Sequence, residues 1–157
     1  MIKNLIALTL FSSVFALAGQ HDLEHWYHGE YKLQTKSEIA AELDLSSVII
    51  KDIPFDDKLP MIITIFPGDK FNEINAPVYW NESEKKFTFK LDTISWCEDY
   101  DCIGLAAIEG ELTGHPDKPT VVMKATFYKD VGDEAGPKGW TETLVFGDRD
   151  GDGSYSF

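Results

Sequence analysis

The chain has 157 residues, of which 27 are Asp or Glu and 14 are Lys or Arg, for a formal net charge of −13. That balance argues against nucleic acid and anionic membrane surfaces as partners; it suits solubility, cations or a basic protein. At 43% hydrophobic residues the chain carries enough apolar material for one domain with its own core.

Residues 1–18 read as a secretory signal peptide. Met1-Ile2-Lys3-Asn4 carries one positive charge, Leu5 to Leu17 is almost wholly apolar, and Ala16-Leu17-Ala18 is a small-x-small cleavage site. The apolar run is too short to span a bilayer stably, and no later segment is long enough to do so. The expected product is one domain, Gly19 to Phe157, periplasmic or secreted and monomeric. Cleavage after Ala18 exposes Gly19-Gln20-His21, a free amine with His in third place. Such a segment can hold Cu2+ or Ni2+ in a square plane made by the Gly19 amine, the backbone nitrogens of Gln20 and His21, and the His21 imidazole.

Gln20 to His28 is compatible with a short helix in which His21, His25 and His28 share a face that suits zinc or copper. The preferred reading is instead a polar tail whose Trp26 docks on the domain. Gly29 to Gln34 begins the sheet. Thr35-Lys36-Ser37-Glu38 has the form of a capping box with Thr35 as N-cap, opening a short helix through Ile39, Ala40 and Leu43. From Leu45 the pattern turns β: Ser47, Ile49, Lys51 and Ile53 alternate with Val48 and Ile50. Met61 to Phe66 is a near-continuous apolar strand stopped by Pro67-Gly68-Asp69.

Val78-Tyr79-Trp80 leads through Asn81-Glu82-Ser83-Glu84 into the next strand as a hairpin. Asn81-Glu82-Ser83 is also a glycosylation sequon, relevant in a eukaryotic source. Phe87, Phe89 and Leu91 then alternate with Thr88, Lys90 and Asp92, and a second apolar arm runs from Ile103 to Leu112. Between them Cys97 and Cys102 bracket Glu98-Asp99-Tyr100-Asp101. Two cysteines in an exported chain are expected to form a disulfide, here closing so short a loop that it adds only roughly 2 kcal/mol. A redox pair would need C-x-x-C spacing at a helix start, which this stretch lacks.

Val121, Met123, Ala125 and Phe127 alternate with Lys124, Thr126 and Tyr128. The loop Asp130 to Gly139 follows, then a strand Trp140 to Phe146 and a last short strand Ser154 to Phe157. Between those two, Asp148, Asp150 and Asp152 with Gly153 match the opening of a Ca2+ loop, although the acid expected at its twelfth position lies beyond Phe157. The same residues also read as an Asp-Gly hairpin turn. Eight or nine strands joined by sequential hairpins define an all-β, antiparallel up-and-down meander. It closes as a barrel or a strongly curved sheet, with short N-terminal helical segments. Phe87, Phe89, Leu91, Val121, Met123, Phe127, Leu144 and Phe146 are its expected interior.

At the start of the sheet, Tyr27-His28-Gly29-Glu30-Tyr31 resembles the aromatic-x-Gly-x-Trp signature that opens the first strand of lipocalins, with Tyr31 in the place of Trp. Glu98-Asp99-Tyr100-Asp101 is similar to that family's Thr-Asp-Tyr loop motif. The resemblance implies a lipocalin-like barrel with an apolar ligand cavity, and Tyr31 as a packing residue at its closed end.

No G-x-S-x-G elbow, H-E-x-x-H or phosphate loop is present, and among 27 acids no carboxylate pair stands out. The expected function is therefore non-catalytic. One reading is a barrel that holds an apolar small molecule. The other is an acidic interaction protein, such as an inhibitor of a basic secreted enzyme, or a divalent-metal-binding protein.

Overall fold

Eight antiparallel strands follow one another around a closed barrel, each hydrogen-bonded to the next and the last to the first. The computed structural model describes residues 27–52, 61–69, 72–92, 103–115, 117–129 and 138–150. The strands are β1 (Gly29–Leu33), β2 (Ser47–Lys51), β3 (Met61–Ile65), β4 (Ile74–Asn81), β5 (Lys86–Asp92), β6 (Ile103–His115), β7 (Lys118–Lys129) and β8 (Lys138–Asp150). One helix, α1 (Glu38–Glu42), lies between β1 and β2. The up-and-down meander read from the sequence is the observed topology.

Strand alternation decides which residues line the barrel, because successive side chains point to opposite faces. Val48 and Ile50, Ile63 and Ile65, Ala76 and Val78, Phe87 and Phe89, and Val121, Met123, Ala125 and Phe127 all point inward and are buried. Leu144 and Phe146 complete the wall on β8. Leu91, also an expected interior residue, is half-buried at the core edge. The outer wall carries the charges. Glu109 lies directly opposite Lys124 and accepts a hydrogen bond from its Nζ at 3.0 Å. Lys86 bonds Glu84 at 2.7 Å and also Glu111.

Register sets the bore. Directly opposed inward positions lead from Gly29 through Ile50 and Ile63 to Ala76, and from Leu91 through Ile108 and Ala125 to Glu142. Continuing the β4–β5 register places Ala76 level with Leu91. Glu142 accepts a hydrogen bond from Ser37 Oγ at 2.6 Å, so one circuit of the wall has climbed from Gly29 to the level of Ser37. That is a shear of about eight residues for eight strands, the proportion at which side chains alone fill a barrel.

The cap of α1 is not the expected one. Ser37 is the N-cap, its Oγ accepting from Ala40 N at 3.0 Å. Thr35 Oγ1 instead accepts from Val145 N at 2.7 Å, which ties the strand-to-helix connection to β8. Ser37 thus joins the helix start to the barrel wall through Glu142. At the other end of α1, Leu45 N bonds Ala40 O at 2.7 Å and Asp44 N bonds Ala41 O at 3.2 Å. This is a Schellman closure with Asp44 in the position usually given to glycine. Ala40 and Leu45 are fully buried, which seats α1 on the core at the end where β1 leaves and β2 enters.

The β4–β5 turn is held by Asn81, whose Oδ1 accepts from Ser83 N, Ser83 Oγ and Glu84 N at 2.7–3.2 Å. The C-terminal acidic stretch also differs from expectation. Asp148 and Asp150 belong to β8, which extends past Phe146 because Glu30 and Lys32 continue to pair with it. A bulge that sets three steps of β8 (Gly147 to Asp150) against two of β1 (Glu30 to Lys32), with Asp148 left-handed (φ 45°), absorbs the misfit there. The expected strand Ser154 to Phe157 lies outside the described residues.

Candidate functional site: an acidic groove beside the helix

Among the described residues, the inward-facing side chains of the barrel are packed together with almost no accessible surface. Tyr31, Val48, Ile50, Met61, Ile63, Ile65, Ala76, Val78, Val121, Met123, Ala125, Phe127, Leu144 and Phe146 are each 0% exposed. Among the described residues, these leave essentially no surface that a water molecule could touch. A shear of about eight explains this directly.

The end at which β1 begins is plugged by aromatic rings. Trp80 meets Phe87 edge-on at 5.0 Å between centroids, and Tyr27 meets Phe87 likewise at 5.7 Å. Tyr31 lies buried beside them, its hydroxyl donating to Tyr27 O at 2.5 Å. Burial pushes the Tyr31 phenol far above its ordinary range, against a smaller downward pull from Arg149. Arg149 crosses this end over Gly29, where a Cβ would sit 2.6 Å from Arg149 Cγ. His28 is buried next door, its Nε2 2.9 Å from Asp52 Oδ1.

The raised phenol has a consequence for alkaline stability. An exposed tyrosine in the unfolded chain ionises near pH 10, whereas folded Tyr31 keeps its proton, so folding stability falls as pH rises past about 10. Tyr31→Phe should cost about 1 kcal/mol at pH 8 through the lost hydrogen bond, yet give a flatter stability profile between pH 8 and 11. Urea midpoints of both proteins across that range decide it. Parallel profiles would show that Tyr31 is not the group responsible.

At the opposite end the inward-facing residues are less enclosed. Leu33, Ile74, Leu91 and Trp140 are half-buried there, and they and Ile39 and Leu43 of the helix segment all pack against the core. Glu142 shares this face, and Trp140 Nε1 donates to it at 3.3 Å. A carboxylate on an otherwise apolar inner wall needs such donors.

Among the described residues the outer wall carries three concavities, of which two are large. One, of about 590 Å³, spans β4 to β8 and is lined by Glu84, Glu109 and Glu111 together with Lys90 and Lys124. Its charges are largely answered by the cross-strand pairs already described. The other, of about 810 Å³, lies beside α1 over β2 and the β3–β4 turn. Its floor is apolar, from Leu43, Ile49, Phe66 and Pro67, and its rim carries Glu30, Asp44 and Asp69. Among the described residues lining it there is no Lys, Arg or His.

Within that groove the three acids differ. Glu30 binds Lys32 Nζ at 2.7 Å, and hydrogen bonds from Lys32 and Ser47 hold its carboxyl below the usual range. Asp69 takes Asn72 N and Asn72 Nδ2, at 3.3 and 2.7 Å, and so shapes the turn. Asp44 projects into solvent from the end of the helix. Two groove residues are also held in left-handed backbone conformations, Asp44 at φ 56° and Phe66 at φ 57°. Such a conformation costs roughly 1–3 kcal/mol and is rare for an aromatic residue. An acid at the negative end of a helix adds a further small penalty.

Of the residues singled out in the sequence, Gly19, Gln20, His21, His25, Cys97, Cys102 and Asp152 lie outside the described residues. Asp148 and Asp150 sit at the exposed end of β8, and Asp150 is 3.7 Å from Lys32 Nζ. Among the described residues no three His, Cys, Asp or Glu side chains converge as a metal would require, and no helix is long and apolar enough to cross a membrane. Pro67-Gly68-Asp69 reads from the sequence only as a turn, and Asp44 is not singled out there at all. An acid in a glycine-type helix stop was the one available signal.

Comparison with known protein families, with curated proteins and with solved structures finds no match for this chain. The fold and the groove therefore stand on their own geometry.

Proposed function

We propose that this is an exported, non-catalytic acidic binding protein that works through its outer surface on a basic partner, such as a basic secreted enzyme that it inhibits. The observation that carries this reading is the side-chain-filled interior of a chain with a net charge of −13. A barrel without a chamber leaves the outer wall and the loops as binding surface, and long-range attraction then favours cationic partners. Cu2+ or Ni2+ at Gly19-Gln20-His21 and Ca2+ at Asp148, Asp150 and Asp152 are separate proposals, independent of the barrel.

A second reading is an apolar small molecule, as the lipocalin-like start of β1 implies. The half-buried collar of Leu33, Leu91 and Trp140 favours it, with the ligand at the barrel end rather than in its middle. Titration of the mature protein with a cationic peptide and, separately, with an environment-sensitive apolar dye discriminates the two. Saturable, salt-sensitive peptide binding without stoichiometric dye uptake is the expected result. Stoichiometric dye uptake by the native state, with no peptide binding, would transfer the function to the apolar ligand.

A further inference from the structure

We infer that the groove between α1 and the β3–β4 turn is the docking site, and that it takes a basic peptide segment in which Lys or Arg stands beside a large apolar side chain. This rests on the basic-partner reading and specifies it. The groove combines the two features such a segment needs. Leu43, Ile49, Phe66 and Pro67 offer an apolar floor, and Asp44 and Asp69 stand on the rim with no cationic side chain among the described lining residues. The other described outer concavities have carboxylates too, but Lys90 and Lys124 stand among them, so a cationic partner gains less there.

Local structure marks the same place. Of the four non-glycine residues with left-handed φ among the described residues, Asp44, Phe66, Lys85 and Asp148, two lie in this groove. Glycine would relieve Asp44 of both its backbone strain and its charge at the helix end. The residue present is the one that places a carboxylate on the rim. Phe66, equally strained, is the one that supplies an aromatic floor for an apolar side chain or for the face of a guanidinium. Stability is given up at these two positions in the direction that cationic binding requires.

The probe is a fluorescein-labelled peptide alternating leucine and arginine, with two analogues in which serine replaces leucine or glutamate replaces arginine. Fluorescence anisotropy at low salt should show binding of the first peptide to the native protein and none of the glutamate analogue. Asp44→Lys should weaken that binding at least tenfold, while Asp117→Lys, at the far end in the β6–β7 turn, should change it less than twofold. Phe66→Ser should abolish the preference for the leucine peptide over its serine analogue. Asp44→Gly should weaken binding about threefold yet raise the thermal midpoint by about 2–4 °C; a purely structural Asp44 would do neither. If Asp117→Lys weakens binding as much as Asp44→Lys, the groove assignment falls while the basic-partner reading stands. If the leucine–arginine peptide does not bind at all, both fall.

Discussion

Replacing Phe89 with alanine is expected to cost about 3–5 kcal/mol of folding stability, the range for removing a buried aromatic ring. Phe89 is 3% exposed, lies opposite Val78 on one side and Gly110 on the other, and points into the filled barrel. Its ring covers Gly110, so no neighbouring side chain on β6 can move into the space it leaves. The cavity should therefore persist and the loss should fall in the upper part of that range. Urea unfolding of the variant against the parent measures it; a loss under about 1 kcal/mol would place Phe89 outside the core and refute the register of β5.

Gly110→Ala should be the next most damaging change. A Cβ at this position would lie 2.5 Å from Phe89 Cζ and 2.3 Å from the Val122 carbonyl oxygen. The ring can give way, but the backbone oxygen is fixed by the β6–β7 pairing. Overpacking of this kind costs about 1–3 kcal/mol, and contact with backbone puts it at the upper end. Shrinking the ring relieves half of the clash. Gly110→Ala combined with Phe89→Leu should thus lose less than the sum of the two single changes, by at least about 0.5 kcal/mol. Strict additivity in a double-mutant cycle would mean that the two residues do not meet.

The inner faces were legible in the sequence because burial on one side of a strand writes a period of two. Phe87 and Phe89, and Val121 to Phe127, show it without interruption, and consecutive hairpins gave the meander. What stayed hidden was decided by tertiary pairing. Thr35 and Ser37 are both hydroxyl residues ahead of the same helix, and the choice between them as N-cap follows from Val145 N binding Thr35. Asp148 and Asp150 read as turn chemistry, yet pairing with β1 carries them into β8.

The bore of the barrel was hidden for a related reason. Alternation reveals which side chains point inward, whereas shear is the summed register of every strand pair and decides whether they fill the space. The groove escaped notice because Asp44, Ile49 and Phe66 come together only through the β2–β3 pairing. Left-handed strain at Asp44 and Phe66 leaves no trace in composition.

The filled interior is tested most directly by adding volume where a hollow barrel would welcome it. Ala76 is fully buried and faces inward opposite Ile63. In a packed barrel Ala76→Leu must displace neighbours, and its urea unfolding free energy should fall by about 1–3 kcal/mol. A barrel with a chamber would bury the added methylenes at no steric cost, so an unchanged or increased stability of Ala76→Leu would contradict the packed interior and with it the outward-facing mode of binding.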